Sequence, residues 1–299
     1  MANRRVLVKR RKSVRNIRKI TRTMQLIATA RFQAAFNRAV ATRPYTEKLA
    51  ELVADLSNAG VALEHPLLEP ANPAAPVAYL VLTSNRGLCG GYNANILRVA
   101  NEALTTRRAA NEPTGLQVYG KKGIAFFKYR QRTMDLQSTS VSEAPKFEDI
   151  EPIANQLMAD FLSGKISGVR VVYMRFLSAG QQRPQIVQLL PLVQGAAEKA
   201  ASAAASAATA KARSVEYEFL PDPLALLDEL LPATVRIRLF QAFMDAAVSE
   251  QIARMVAMKA ATEAAEDMIK ELTRDYNRAR QTHITMELLD IVGGANALA

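Results

Sequence analysis

The sequence predicts an α/β protein: a long antiparallel coiled coil of N- and C-terminal helices plus a central doubly wound α/β domain. Three observations support this class. No Gly or Pro occurs before Pro44, and none occurs between Ala233 and Val292, so both ends of the chain can form long uninterrupted helices. Between these ends, short apolar runs alternate with segments of helical pattern, as in sheets covered by helices.

The composition excludes several classes of protein. The chain has 299 residues, of which 49% are hydrophobic and 22% charged, as in an ordinary globular protein rather than a disordered one. No run approaches the ~18 consecutive apolar residues of a membrane span. The single Cys cannot form an internal disulfide, which is typical of a reducing compartment. A net charge of +11 predicts an acidic partner: nucleic acid, anionic lipid or acidic protein.

The N-terminal helix is predicted over residues 1–60. It is strongly cationic, because no Asp or Glu precedes Glu47. Ile17, Ile20, Met24 and Ile27 step by three, four and three residues, and this spacing predicts the seam along which the helix packs on a second helix. A kink is expected near residue 43, because the residue before a proline disfavours helical geometry.

The C-terminal helix is predicted over residues 222–299, where acidic residues outnumber basic ones and complement the cationic N-terminal helix. Its stretch without Gly or Pro would be ~90 Å long, so it needs a partner helix, although a helical bundle is the alternative. The predicted seam contains small residues for close approach and larger apolar residues that interlock. These are Ala242, Ala246, Ala253, Ala257, Ala260 and Ala264, with Leu239, Phe243, Val256, Leu272, Leu289 and Val292.

The middle of the chain is predicted to hold a Pro-rich linker over 61–76 and an α/β domain over 77–193. Apolar runs indicate strands at 77–83, 116–120, 169–178 and 185–192, and helical patterns occupy 94–104, 121–130 and 151–164. This alternation predicts a largely parallel sheet covered on both faces. The Ala/Ser-rich segment 194–221 is predicted to be a surface insertion or linker.

The glycine-rich stretch TSNRGLCGGYN (83–93) follows the first predicted strand, a position where catalytic loops are often found. Cys89 as a nucleophile would need a base, and neither His65 nor His283 is suitably placed in the sequence. These three residues do not form a zinc-binding pattern either. Gly87, Gly90 and Gly91 are therefore predicted to permit a tight turn with positive φ. A second stretch, GLQVYGKK (115–122), resembles a phosphate-binding loop, but it has Lys122 where that loop has Ser or Thr, and LQVY is typical of a strand.

Five segments resemble the gamma subunit of the rotary F-type ATP synthase, bacterial type, in the same order and over almost the whole chain. They are SVRNIRKITRTMQLIATAR (13–31), LVLTSNRGLCGGYN (80–93), PDPLALLDELLP (221–232), SEQIARMVAMKAATEAAEDMI (249–269) and YNRARQTHITMELLDIVGGA (276–295). The resemblance implies terminal helices wound into an antiparallel coiled coil, with the glycine loop belonging to the α/β domain rather than to an active site.

The resemblance also implies a mechanical function without catalytic residues, cofactors or metal ions. The chain would be the central shaft of a proton-translocating ATP synthase, coupling rotation of the membrane c ring to conformational changes at the catalytic sites of the beta subunits. Its expected partners are the hexamer of alpha and beta subunits, the epsilon subunit and the c ring. A basic coiled coil that binds nucleic acid, and an α/β enzyme, are the alternatives.

Three groups of residues carry the implied contacts. Arg280 and Gln281 match positions that hydrogen-bond a loop of a beta subunit, called the catch loop. A bearing tip is expected at Leu288, Leu289, Ile291 and Val292. A cationic collar, expected to face acidic segments of beta or the polar loops of the c ring, comprises Arg10, Arg11, Lys12, Arg15, Arg18 and Lys19.

The sequence departs from the family pattern at His283 and Met286, where the family usually has a small residue and Gln. Cys89 has no partner cysteine for the dithiol switch of chloroplast relatives. Because the resemblance begins close to Met1, we expect no transit peptide, which favours a bacterial protein on the cytoplasmic face of the cell inner membrane, bound there through the complex.

Overall fold

A computed structural model describes residues 4–58, 65–69, 72–192 and 223–298. By its internal contacts the chain divides into two compact units. The first, here called the two-helix unit, comprises Met1–Arg31 and Ala253–Ala299. The second, the sheet unit, comprises Phe32–Ile252. The Ala/Ser-rich insertion predicted at 194–221 lies outside the described residues.

Long helices form at both ends of the chain, as the sequence predicts. Helix α1 spans Arg4–Asn58 and contains Pro44, and helix α5 spans Pro223–Leu298. The strands between them are β1 (Val77–Leu82), β2 (Thr114–Tyr119), β3 (Leu136–Ser138), β4 (Gly168–Ser178) and β5 (Gln181–Leu190). The remaining helices are α2 (Tyr92–Ala109), α3 (Lys121–Tyr129) and α4 (Phe147–Leu162).

The five strands form one sheet in the order β3-β2-β1-β4-β5. Strand β1 is parallel to β2 and β4, and β2 is parallel to β3, which confirms the largely parallel sheet. Strand β5 is antiparallel to β4, because only Ala179 and Gly180 separate them and so short a connection cannot make a parallel crossover. Strand β3 was not predicted: it has only three residues, and its apolar residue, Leu136, is exposed.

Both faces of the sheet are buried, as predicted for alternating strands and helices. Ala78, Leu80 and Leu82 point to one face, where they join the core formed with α4 and with the part of α5 that belongs to the sheet unit. Tyr79 and Val81 point to the opposite face and are also buried. Helix α2 contacts β1, β2, β4 and β5.

The first part of α5 is a core helix of the sheet unit. Leu239, Ala242, Phe243 and Ala246 are buried among side chains of the strands and α4, with the Phe243 ring 5.6 Å from that of Tyr119. The prediction that these four residues form the coiled-coil seam is wrong. The reason is that this part of α5 has apolar residues on two faces. One face packs against the sheet and α4, and on the other Met244 and Val248 pack against Ala35 and Ala39 of α1.

Candidate functional site

The two-helix unit has a seam between α1 and the C-terminal part of α5. In this unit, one set of buried and half-buried side chains of α1 recurs every three or four residues: Leu7, Arg11, Val14, Arg18, Thr21, Gln25 and Ala28. The corresponding residues of α5 are Met258, Thr262, Ala265, Ile269, Leu272 and Tyr276. Alternating steps of three and four residues are the pattern of a coiled coil. The helices are antiparallel, because Thr21 meets Thr262 whereas the earlier residue Arg11 meets the later residue Tyr276.

The predicted seam of α1 is wrong in phase. Ile17, Ile20 and Ile27 are 49%, 59% and 48% exposed, and only Met24 is half-buried. The spacing was correctly recognised, but the residues that face α5 are largely polar, so an apolar pattern alone could not locate them. The signal that identifies the true seam is the seven-residue spacing of Leu7, Val14, Thr21 and Ala28.

The prediction for the small residues of α5 is also partly wrong. Val256, Ala260 and Ala264 are exposed, Ala253 and Ala257 are half-buried, and the alanine buried in the seam with α1 is Ala265. Leu272 is half-buried in the seam as predicted, whereas Leu289 and Val292 are exposed.

Polar contacts join the two helices across this seam. The hydroxyl of Thr262 donates to Oγ1 of Thr21 at 2.8 Å, and both side chains are buried. The guanidinium of Arg18 lies 3.6 Å from a carboxylate oxygen of Glu266, and the guanidinium of Arg11 lies 4.9 Å from the centre of the Tyr276 ring. Paired in this way, polar side chains occupy a seam without leaving the hydroxyl groups unsatisfied.

The cationic collar separates into two sets. Arg10, Lys12, Arg15 and Lys19 are exposed, whereas Arg11 and Arg18 are half-buried against α5. Arg11 and Arg18 therefore hold the two helices together, and the other four present their charge to the surroundings.

The C-terminal part of α5 is exposed. Every side chain from His283 to Asn296 is exposed, as are Arg280 and Gln281. Leu288, Leu289, Ile291 and Val292 are each more than half exposed. This end of α5 thus has Arg280 and Gln281 on its surface, followed by a helical segment that exposes six large apolar side chains, the four just named together with Ile284 and Met286.

The glycine-rich loop of the sheet unit has a structural role. Cys89 is buried. Nδ2 of Asn93 donates to Sγ of Cys89 at 3.1 Å, and Oγ of Ser84 lies 3.8 Å from the same Sγ. His65 lies elsewhere: the N–H of Leu67 donates to its Nδ1, and its Nε2 is 3.5 Å from Asp228. Gly90 has the expected positive φ of 55°, but Gly87 and Gly91 do not, and Leu88 unexpectedly has a φ of 64°.

The stretch that resembles a phosphate-binding loop forms β2 and the start of α3, as predicted. Gly115–Tyr119 lies in β2, and Gly120 turns the chain into α3 with a φ of 102°. A Cβ at Gly120 would lie 2.1 Å from the carbonyl oxygen of Thr83, so this glycine permits the end of β2 to approach β1 closely.

A small cavity of ≈ 50 Å³ lies at the carboxyl edge of the sheet. It is lined by side chains that include Thr83, Tyr119, Glu143 and Glu250, and burial raises the pKa of Tyr119 to about 12. The cavity has room for a few water molecules rather than for a nucleotide. Within the described part of the chain, no three His, Cys, Asp or Glu residues form a group that could hold a metal ion.

None of the helices described here contains an apolar stretch long enough to cross a bilayer.

Comparison with known proteins gives full-length matches. A family model described as ATP synthase matches residues 3–298. The chain is 46% identical over 298 residues to the ATP synthase gamma chain of Rhodopirellula baltica, covering 100% of this chain and 99% of the relative. It is 39% identical over 295 residues to the ATP synthase gamma chain of Frankia casuarinae, covering 97% and 96%.

Solved structures have the same fold. In the Euglena gracilis mitochondrial ATP synthase, a rotor chain in rotational state 1 matches with a TM-score of 0.61 and 19% identity, covering 94% of this chain and 98% of the other. A chain of the OSCP/F1/c-ring structure in rotational state 3 matches with a TM-score of 0.64 and 18% identity, covering 99% and 94%. With these matches along its whole length, the chain belongs to the ATP synthase gamma chain family.

Proposed function

We propose that this chain is the central rotor shaft of a proton-translocating ATP synthase, coupling rotation of the membrane c ring to conformational changes at the catalytic sites of the beta subunits. The observation that carries this proposal is the full-length family match of a chain whose two-helix unit ends in an exposed, apolar helix. The exposed end of α5 suits insertion into a surrounding protein, because contacts with that protein would cover its apolar side chains.

The proposed partners are the hexamer of alpha and beta subunits, the epsilon subunit and the c ring. The similar Euglena chains come from structures described as the rotor and as OSCP/F1/c-ring, which supports the hexamer and the c ring. Family membership favours the shaft over a nucleic-acid-binding coiled coil. Through the complex, the chain would lie at the cytoplasmic face of a bacterial inner membrane as a peripheral protein.

The shaft would act without catalysing a reaction itself. Its surface differs around its circumference, so each orientation presents different side chains to the three beta subunits. Contacts that are stronger with one conformation of beta than with another shift the populations of those conformations, which would drive ATP release and substrate rebinding. We assign the nucleotide chemistry to beta. In this chain Cys89 is buried beside Ser84 and Asn93, where it helps to hold the glycine-rich loop in place.

Specific contacts are proposed for the exposed residues of the two-helix unit. Arg280 and Gln281 would hydrogen-bond the catch loop of one beta subunit, and both are exposed. Leu288, Leu289, Ile291 and Val292 would sit in an apolar sleeve of the hexamer. Arg10, Lys12, Arg15 and Lys19 would face acidic segments, whereas Arg11 and Arg18 stabilise the coiled coil.

Reconstitution with purified alpha and beta subunits tests this function. The full chain should form a stable complex with the hexamer and increase its ATP hydrolysis, whereas the isolated chain should hydrolyse nothing. A chain truncated before Arg280 should bind more weakly and activate less, because it lacks both the catch-loop contact and the tip. The matched control is Lys270→Gln with Asp267→Asn, which removes an exposed ion pair of α5 away from the tip and should leave activation unchanged. Failure of the full chain to bind the hexamer would refute the proposal.

A further inference from the structure

Basic side chains gather at the amino edge of the sheet, the edge at which the parallel strands begin. Residues 103–142 contain seven basic residues and two acidic ones. Helix α2 ends just before β2 begins, and α3 runs back from the end of β2, so both helices end at this edge. Five basic residues lie at or just beyond these two helix ends. We name them the basic edge: Arg107, Arg108, Lys128, Arg130 and Arg132.

The carboxylates close to the basic edge leave most of its charge unpaired. Glu112 binds Arg107, with a carboxylate oxygen 2.8 Å from the guanidinium. Oδ2 of Asp135 accepts a hydrogen bond from the backbone N–H of Leu116 at 2.7 Å, which holds that carboxylate against β2. Among the described residues, no carboxylate forms an ion pair with the other four residues of the basic edge.

The helix ends explain only part of this arrangement. A cation in the last turn interacts favourably with the helix dipole, which accounts for Arg107, Arg108 and Lys128. Arg132 lies beyond the end of α3, and burial together with the nearby charge of Arg108 lowers the pKa of Arg132. The fold therefore keeps two guanidinium groups close together at a cost in free energy, and a bound anion would offset this cost.

An aromatic side chain projects among these cations. Tyr129 is 87% exposed, more than any other large apolar or aromatic side chain in the described part of the chain. Its neighbours in the sequence are Lys128 and Arg130, which are also exposed. Tyrosine favours the interface between membrane and water, where its ring contacts lipid while its hydroxyl stays hydrated. A bilayer surface would therefore cover Tyr129 favourably.

The basic edge suits a fluid anionic surface. Arg108, Lys128 and Arg130 are exposed on flexible stems at helix ends, so they do not impose one fixed geometry on a partner. Lipid headgroups adjust to such cations, and each Lys or Arg close to an anionic membrane strengthens binding. An acidic protein or a free anion would also pair with the cations. The membrane is favoured because the proposed function, on which this step rests, puts the chain beside a membrane.

We propose that the basic edge and Tyr129 form a membrane-contact surface, which binds the anionic headgroups of a lipid bilayer. The cations bind lipid phosphates, and the ring of Tyr129 enters the headgroup region. This contact belongs to the sheet unit and is separate from the contacts proposed for the two-helix unit. Because lipids exchange places freely, a surface of headgroups can bind the chain in every orientation that it adopts as it turns.

The chain has no tryptophan, so a single one can report on this contact. In the full chain with Tyr129→Trp, vesicles of phosphatidylcholine and phosphatidylglycerol should shift the tryptophan emission to shorter wavelength, and brominated lipids should quench it. Vesicles of phosphatidylcholine alone should do neither. The matched control is Leu177→Trp, at an exposed position near the end of β4 and therefore at the opposite edge of the sheet. Its emission should not respond to either kind of vesicle.

Charge variants test whether the basic edge itself drives binding. The full chain with Arg108→Gln, Lys128→Gln and Arg130→Gln should bind the anionic vesicles about tenfold more weakly or worse in sedimentation, because each cation contributes separately. All three side chains are exposed, so helical circular dichroism should be unchanged.

A matched control removes the same charge from exposed positions on the same two helices, away from their C-terminal ends: Arg98→Gln, Lys121→Gln and Lys122→Gln. This variant should bind nearly as the wild-type chain does, because the attraction to the membrane falls off within a Debye length.

Three results would overturn the membrane-contact surface. The first is sedimentation with anionic vesicles without an emission shift at residue 129, which would assign the binding to another part of the chain. The second is an equal loss of binding in the two charge variants, which would assign it to net charge. The third is an emission shift with inorganic phosphate or polyglutamate but not with vesicles, which would assign the basic edge to a free anion or an acidic protein. Each of these results leaves capture by the hexamer, and so the proposed function, to be judged by its own experiment.

Discussion

At the residue scale, Gly120 is a position where the backbone conformation and a close neighbour leave no room for a side chain. Its φ of 102° is unfavourable for any side chain, and an added Cβ would lie 2.1 Å from the carbonyl oxygen of Thr83. We expect Gly120→Ala to lower the free energy of unfolding by about 3 kcal/mol or more, from backbone strain and overpacking together. Urea unfolding measures this cost. Gly180→Ala is the control: nothing lies within 4 Å of its Cβ position, so its change should stay within about 0.5 kcal/mol.

Tyr119 makes the stability of the sheet unit depend on pH in the alkaline range. Burial raises its pKa from 10.0 to about 12, so the folded state keeps the phenol neutral after the unfolded chain would release the proton. The resulting stabilisation is fully present below pH 10 and is lost as the pH rises towards 12. Relative to Tyr119→Phe, the wild-type chain should lose up to about 2 kcal/mol over this range. A constant difference between the two unfolding free energies from neutral pH to pH 11 would contradict the assignment.

The glycine-rich turns could be located from the sequence, but the residues that adopt a positive φ within them could not all be predicted. Gly90 has the predicted positive φ. Leu88 also has a positive φ, which the conformational preferences of leucine do not suggest. Leu88 adopts this conformation inside a loop held by hydrogen bonds from Asn93 to Ser84 and Cys89. Such contacts come from residues that are close in the fold, and a single sequence does not reveal them.

At the scale of elements, the existence of α1 and α5 followed directly from the absence of Gly and Pro, but the faces they bury did not. The predicted seam of α1 used Ile17, Ile20 and Ile27 because apolar periodicity normally marks the buried side. Here the buried side holds Thr21 and paired arginines, and the isoleucines are exposed. A helix whose isoleucines lie outside its largely polar seam cannot be oriented from its own sequence, since the buried side depends on which side chains the second helix presents.

The Thr21–Thr262 contact gives a direct test of the seam as described. Thr262→Val removes the hydroxyl that donates to Thr21, and we expect it to cost about 1 kcal/mol of unfolding free energy. Thr21→Val with Thr262→Val replaces both hydroxyls by methyl groups and should recover most of that loss. A double-mutant cycle by urea unfolding, followed by helical circular dichroism, measures the coupling. Strictly additive effects would show that the two hydroxyls do not interact.

At the scale of the whole molecule, the order of elements and the α/β class were predictable because strands and helices alternate with clear turns between them. The antiparallel β5 was not, although the two-residue turn at Ala179 and Gly180 contained the signal. The division of α5 between two units also escaped prediction. Its uninterrupted helical pattern does not indicate that Leu239 and Phe243 pack in the core of the sheet unit, whereas Thr262 and Tyr276 contact α1 in the coiled coil.

The proposed function requires the chain to turn inside a hexamer whose catalytic sites respond to its orientation. Direct observation of rotation tests it most directly. Gly180→Cys offers a labelling site in the open turn between β4 and β5, and the native Cys89 is buried and should not compete for the label. With the alpha and beta hexamer fixed to a surface and a probe attached at residue 180, addition of ATP should turn the probe stepwise in one direction. Sustained ATP hydrolysis by the complex with a stationary probe would contradict the account.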